Sequence, residues 1–283
     1  MNLLDKFLIL DRRWVFLLMA LAIIIPLLLN ITLPFTPDKA VEAIYNELET
    51  LEPGTRVLVS CDYDPGSKPE LQPFAVALFY YLFTHELSPV ITCLWPGAPP
   101  LVESALLEVT AMLALDGRAA PLNHIDYVNL GYKQGAQFVM LSMGSDMRGT
   151  FPLDYTGTPI DEIPVMDGIE NLNSFDLFVE ISAGSAGTKE WVQTVQGRYD
   201  LRLAAACTAV MAPDCIPYLQ ANQLFGLAGG MKGSADFEKL VYDGTDYIGQ
   251  ATIGMNAQSF GHLVIIIFII LGNIAFFATR EKR

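Results

Sequence analysis

Asp62 and Asp64 stand two residues apart, directly after the apolar run at 57–61 and before Pro65 and Gly66. Two carboxylates so placed at a strand end can bind a divalent cation. The competing reading is that they cap a turn and the helix that follows it. A second candidate is Gly184-Ser185-Ala186-Gly187-Thr188, between an apolar run and a helical stretch. Such a loop can turn its backbone N–H groups toward an anion. It lacks the lysine of a P-loop and the spacing of a dinucleotide fingerprint, so a tight turn is the plainer reading. Ser182 and Ser185 are possible nucleophiles, but no Gly-x-Ser-x-Gly elbow surrounds them. Ser145 and Asp146 close a further apolar run. The only histidines are His85, His124 and His262, so a serine triad would need His85 or His124, and no His/Cys pair has zinc-ligand spacing. The ligand-binding set is therefore Asp62, Asp64, Ser145, Asp146, Ser182, Gly184 and Ser185. Asp62 and Asp64 are the candidate metal ligands, and a divalent cation is the one cofactor this set points to.

Asp62-Tyr63-Asp64 after a strand resembles the start of the haloacid-dehalogenase-type phosphotransferase motif, in which a strand leads into Asp-x-Asp. The resemblance implies Asp62 as nucleophile and Asp64 as acid. It covers these three residues only. Pro65 stands where a hydroxyl usually follows, and the family's remaining motifs are not placed in the chain.

The elements that would position these groups alternate between strand and helix. Residues 56–61 read as a strand and 70–86 as a helix with Leu71, Phe74, Leu78 and Leu82 on one face. A strand at 89–95 and an amphipathic helix at 99–115 follow. About ten residues separate each helix from its strands, which favours right-handed parallel crossovers. Residues 124–132 are ambiguous, and 136–143 read as a strand. Residues 148–174, with three prolines and little periodicity, read as a long loop that caps strand ends or docks a neighbour. Strands at 175–182 and 202–208 bracket a helix at 188–197. Residues 218–242 read as a helix in two pieces, its small-residue middle at 226–233 packing closely on something. Residues 242–258 read as a tether. The expectation is a Rossmann-like α/β domain with a mostly parallel sheet, its loops gathered on one edge, where open α/β folds bind ligands.

Two uncharged apolar runs frame this domain, at 14–33 and 263–278. Each approaches the length that crosses a bilayer. No small-x-small pattern follows the first, which argues for an uncleaved anchor. The expected organisation is a tail at 1–13, a span at 14–35, the α/β domain at 36–258, a span at 259–279 and a tail at 280–283. Lys6, Arg12 and Arg13 precede the first span, and Arg280, Lys282 and Arg283 follow the second. The positive-inside rule then puts both termini in the cytoplasm and the domain outside it. Of 17 basic and 31 acidic residues the tails hold six and three, which leaves 11 basic against 28 acidic in the domain. So acidic a domain repels nucleic acid. Cys61, Cys93, Cys207 and Cys215 all fall in the domain, and spacing leaves open whether they pair or stay free. Gly272 and Asn273 lie within the second span, where a polar amide favours a neighbouring helix over lipid; a local bond to its own backbone is the alternative. The functional expectation is a two-pass, non-catalytic subunit or receptor. It would bind a partner protein or small ligand and assemble with other membrane helices as an oligomer. The alternative is an extracytoplasmic, metal-assisted hydrolase or transferase using Asp62 and Asp64.

Overall fold

The computed structural model describes residues 11–29 and 33–280. Most of both expected tails lies outside them. Two compact units result: Thr36–Ala251, and the terminal segments Met1–Phe35 with Thr252–Arg283.

The terminal unit contains α1 (Arg12–Leu29), long and apolar enough to cross a membrane. In the Thr36–Ala251 unit, α2 (Lys39–Leu48) opens on Asp38, whose side chain accepts from the Ala40 N–H. Three strand–helix alternations follow: β1 (Arg56–Asp62), α3 (Lys68–Thr84), β2 (Ser88–Cys93), α4 (Pro99–Leu115), β3 (Val128–Tyr132) and α5 (Gln137–Ser145). A coiled region leads to β4 (Leu177–Ser182). A broken helix, α6 (Thr188–Trp191), continues as a π turn over Val192–Gln196. Then come β5 (Leu203–Cys207), α7 (Ala212–Gln220), β6 (Gly226–Gly229) and α8 (Gly230–Val241).

All six strands run parallel in the order β3-β2-β1-β4-β5-β6. The fold is thus the expected Rossmann-like α/β sheet, and its topological switch point falls between β1 and β4. Both faces are covered. Val57, Val59 and Cys61 of β1 join the core under α2, α3, α4 and α8. Leu58 joins the core on the other face, with α5, α6 and α7. This is the period-two alternation of a strand buried on both sides.

Four readings need correction. Residues 136–143 are not a strand but most of α5. Val139, Met140, Met143 and Met147 are buried while Phe138 is 83% exposed, a helical period that a continuous apolar run had hidden. The third strand is instead β3, in the stretch that read as ambiguous. Residues 148–174 are not a loose loop. They form three 3-10 turns that bury Ile160, Ile163, Met166, Ile169 and Leu172 beneath the sheet. Arg148 ties them down, donating to the carbonyls of Met166 at 2.6 Å and Ile169 at 3.2 Å. The 218–242 segment holds the sixth strand rather than a helix in two pieces. A Cβ at Gly226 would lie 2.4 Å from Ile44, so a small residue is what lets α2 cover this edge strand. The tether is shorter than expected, because α9 (Gln250–Arg280) starts at Gln250. Like α1, α9 is long and apolar enough to cross a membrane.

Candidate functional site

Because every strand points the same way, the loops after β1 and β4 lie side by side at the switch point. The Ala183 N–H donates to the Asp62 carbonyl across them at 3.1 Å. Asp62 is the last residue of β1, on the same face as Leu58 and Ser60, and its side chain turns inward. It is fully buried. One oxygen accepts from the Ser60 hydroxyl at 2.6 Å and the other from the Leu94 N–H at 2.5 Å, with the Trp191 indole N–H at 3.5 Å. Burial pushes its pKa up to about 7, against the opposing pull of those three donors.

A residue that sequence reading passed over sits beside it. Glu180 of β4 pairs in register with Ser60, and Asp62 with Ser182, so the two carboxyls lie diagonally on one face of neighbouring strands. Glu180 is also fully buried. Its Oε2 accepts from the Thr188 hydroxyl, while Oε1 has no partner among the described residues. Burial raises its pKa first, and the Asp62 carboxylate adds to the rise. Two carboxyls this close in a dry site do not both ionise at neutral pH. On β2, Thr92 lies in register with Ser60, and its hydroxyl is likewise buried without a partner among the described residues. A signal for Glu180 did exist. An acid inside an otherwise unbroken buried strand needs a partner, and only strand pairing says which.

Asp64 does different work. Its Oδ1 accepts from the N–H groups of Gly66 at 3.0 Å and Ser67 at 3.2 Å, and from the Ser67 hydroxyl at 3.0 Å. It therefore closes the turn that starts α3, the capping alternative. Among the described residues no group of three or more His, Cys, Asp or Glu side chains is placed to hold a metal ion.

The loop after β4 is closed in the same manner. Glu190 accepts from the Gly187 N–H at 2.9 Å and from the Ser185 hydroxyl at 2.8 Å. The Thr188 N–H donates to the Ser182 hydroxyl at 3.2 Å. Trp95 donates its indole N–H to the Ala186 carbonyl at 3.1 Å, and its ring lies against Gly184. Gly187 is required by close approach, since a Cβ there would lie 2.3 Å from the Gly184 carbonyl. Four backbone donors of these two loops, those of Gly66, Ser67, Gly187 and Thr188, are thus taken by the chain's own Asp64, Glu190 and Ser182.

The remaining candidates lie elsewhere. Ser145 ends α5, which runs back from the strand ends, so Ser145 and Asp146 sit at the opposite edge of the sheet. Gly144 packs there against Tyr199, just before β5. Ser145 donates to carbonyls of its own helix, and Asp146 accepts from the Gly149 N–H. Their placement at the binding edge is corrected, because it followed from reading 136–143 as a strand. In α9, Gly272 is half-buried, whereas Asn273 is exposed and donates to the Ile269 carbonyl at 2.9 Å. That is the local bond of the alternative reading. All four cysteines are buried free thiols, Cys61 and Cys93 under one face of the sheet, Cys207 and Cys215 under the other. No protein-family model, curated protein or solved structure matches the chain.

Proposed function

We propose that this chain is a two-pass membrane subunit or receptor whose α/β domain engages a partner and carries no catalytic centre at its switch point. One observation carries the reading. The carboxylates at the binding edge are engaged within the chain: Asp62 is sealed beneath the sheet, and Asp64 and Glu190 accept from N–H groups of the two adjacent turns. A reacting carboxylate must offer an oxygen to its substrate or metal, and Asp62 has none exposed. The hydrolase alternative therefore has the weaker support.

Anchoring has its own support. On the entering side the Asp38 N–H donates to Asp236 at 3.1 Å, and on the leaving side the Ala251 N–H donates to Glu238 at 3.0 Å. Both ends of the α/β unit are thus pinned two residues apart on α8. The basic residues outside each apolar helix favour cytoplasmic termini and an extracytoplasmic domain. Purification of the full chain from native membranes in mild detergent, followed by native mass spectrometry, tests the reading. A complex of fixed stoichiometry, unchanged by Asp64→Asn, is expected. A lone chain that turns over a phosphoester in an Asp62- and Asp64-dependent way would overturn it.

A further inference from the structure

A cavity of about 180 Å³ opens between α3, α4 and α8, roofed by the segment at 247–250 that leads into α9. Its floor is apolar, made by Pro73 and Val76 of α3 and Met112 of α4. Its walls are not. Glu108 of α4 and Glu238 of α8 line it, together with the rings of Tyr242 and Tyr247. The roof fits closely, since a Cβ at Gly249 would lie 2.0 Å from a Glu238 oxygen. Glu238 also accepts from the Ala251 N–H, and Glu108 accepts from the Gln250 side-chain amide at 3.1 Å.

Tyr242 is the informative residue. It is 7% exposed, yet its hydroxyl makes no hydrogen bond among the described residues. Tyr242 lines the cavity beside Glu108 and Glu238. Burial, then the charges of Glu238 and Glu108, raise its pKa and keep it protonated. Its ring is held in place by Tyr80 and Tyr247, with centroids at 5.6 and 5.9 Å. Tyr80 donates to Asp116 at 2.7 Å, and the single Tyr247 hydroxyl proton is shared between the Met112 carbonyl at 2.8 Å and Asp116 at 3.0 Å. The cavity is therefore lined by two carboxylates and two tyrosine rings over its apolar floor, with Lys68 the one cation among the described residues whose charge acts on Glu108. Such surroundings concentrate cations. The apolar floor suits a hydrocarbon body better than a hydrated metal ion.

We infer that this cavity binds a small organic monocation, an alkylammonium or guanidinium compound. Its charged head meets Glu108 and the Tyr242 hydroxyl, and its body lies on Pro73, Val76 and Met112. The inference goes beyond the partner-binding proposal and does not depend on it.

Titration of the detergent-solubilised full chain with n-butylammonium chloride, followed calorimetrically, tests it, with n-butanol and with sodium chloride at equal ionic strength as controls. Saturable binding is expected for the ammonium compound alone. Glu108→Gln and Tyr242→Phe should each weaken it about tenfold or more, the loss of one hydrogen bond to a charged group. Tyr242→Phe keeps the ring and its packing, so its melting temperature should match that of the unaltered chain. Absence of saturable binding, equal binding of n-butanol, or unchanged affinity in both variants would overturn the inference.

Discussion

Replacing Asp62 by Asn should change how the stability of the α/β unit depends on pH. An ordinary aspartate titrates near 3.8, whereas burial pushes Asp62 up to about 7 in the folded chain. Between these values the folded state binds a proton that the unfolded state has released. Stability therefore falls as pH rises through this window and is greatest below it. A rise of about three pKa units corresponds to about 4 kcal/mol at most. Set against a typical folding free energy of roughly 5–15 kcal/mol, that is a large fraction. Glu180 adds to the fall in the same direction, because burial and the Asp62 charge raise it too. Asn at position 62 is nearly isosteric. With Oδ1 toward the Leu94 N–H, its amide would face Ser60, whose hydroxyl can turn to accept, and the Trp191 indole N–H would lose its long 3.5 Å bond. Urea denaturation of the full chain and of Asp62→Asn should be followed from pH 4 to pH 9 by far-UV circular dichroism. The two should converge at the acid end, and the variant should gain relative to the unaltered chain as pH rises, levelling off above about 7. Parallel profiles would refute the argument, since they would mean that the Asp62 carboxyl titrates alike in the folded and unfolded states.

Three other outcomes follow from the structure. Gly187→Ala should cost more than about 2 kcal/mol, because its Cβ would press on the Gly184 carbonyl and on Ser182; a loss within about 0.5 kcal/mol in chemical denaturation would contradict the packing described. Asn273→Leu should leave the helicity of α9 intact, since the side chain bonds only its own helix, and should weaken assembly if that exposed face meets a partner; an unchanged complex in native mass spectrometry would remove Asn273 from the interface. Tags on both termini should resist protease in sealed cells and be cut only after lysis, and cleavage of either tag in intact cells would reverse the proposed topology.

Much of the architecture was legible because it is written in local pattern. The apolar stretches of α1 and α9, the alternation of strand and helix, and the proline-marked helix starts need only neighbours within a few residues. The β1 strand and its turn were found for the same reason, and the bonds that Asp64 makes there run to N–H groups two and three residues away. Reading failed where a short apolar segment has no local signature. Residues 136–143 suit strand or helix equally, and the small residues of β6 lack strand propensity because they serve α2, which lies far off in sequence.

The site turned wholly on tertiary structure. Asp62 could be seen in the sequence, but Glu180 became its neighbour only when β4, more than a hundred residues later, paired with β1 in one register. That register also decided that both carboxyls face inward, where burial rather than chemistry sets their protonation. Likewise Glu108 and Tyr242 share a cavity only because α4 and α8 pack on the same face of the sheet. Residue type sets what a group can do. Desolvation and proximity to distant chain segments decide what it does, and both exist only once the chain has folded.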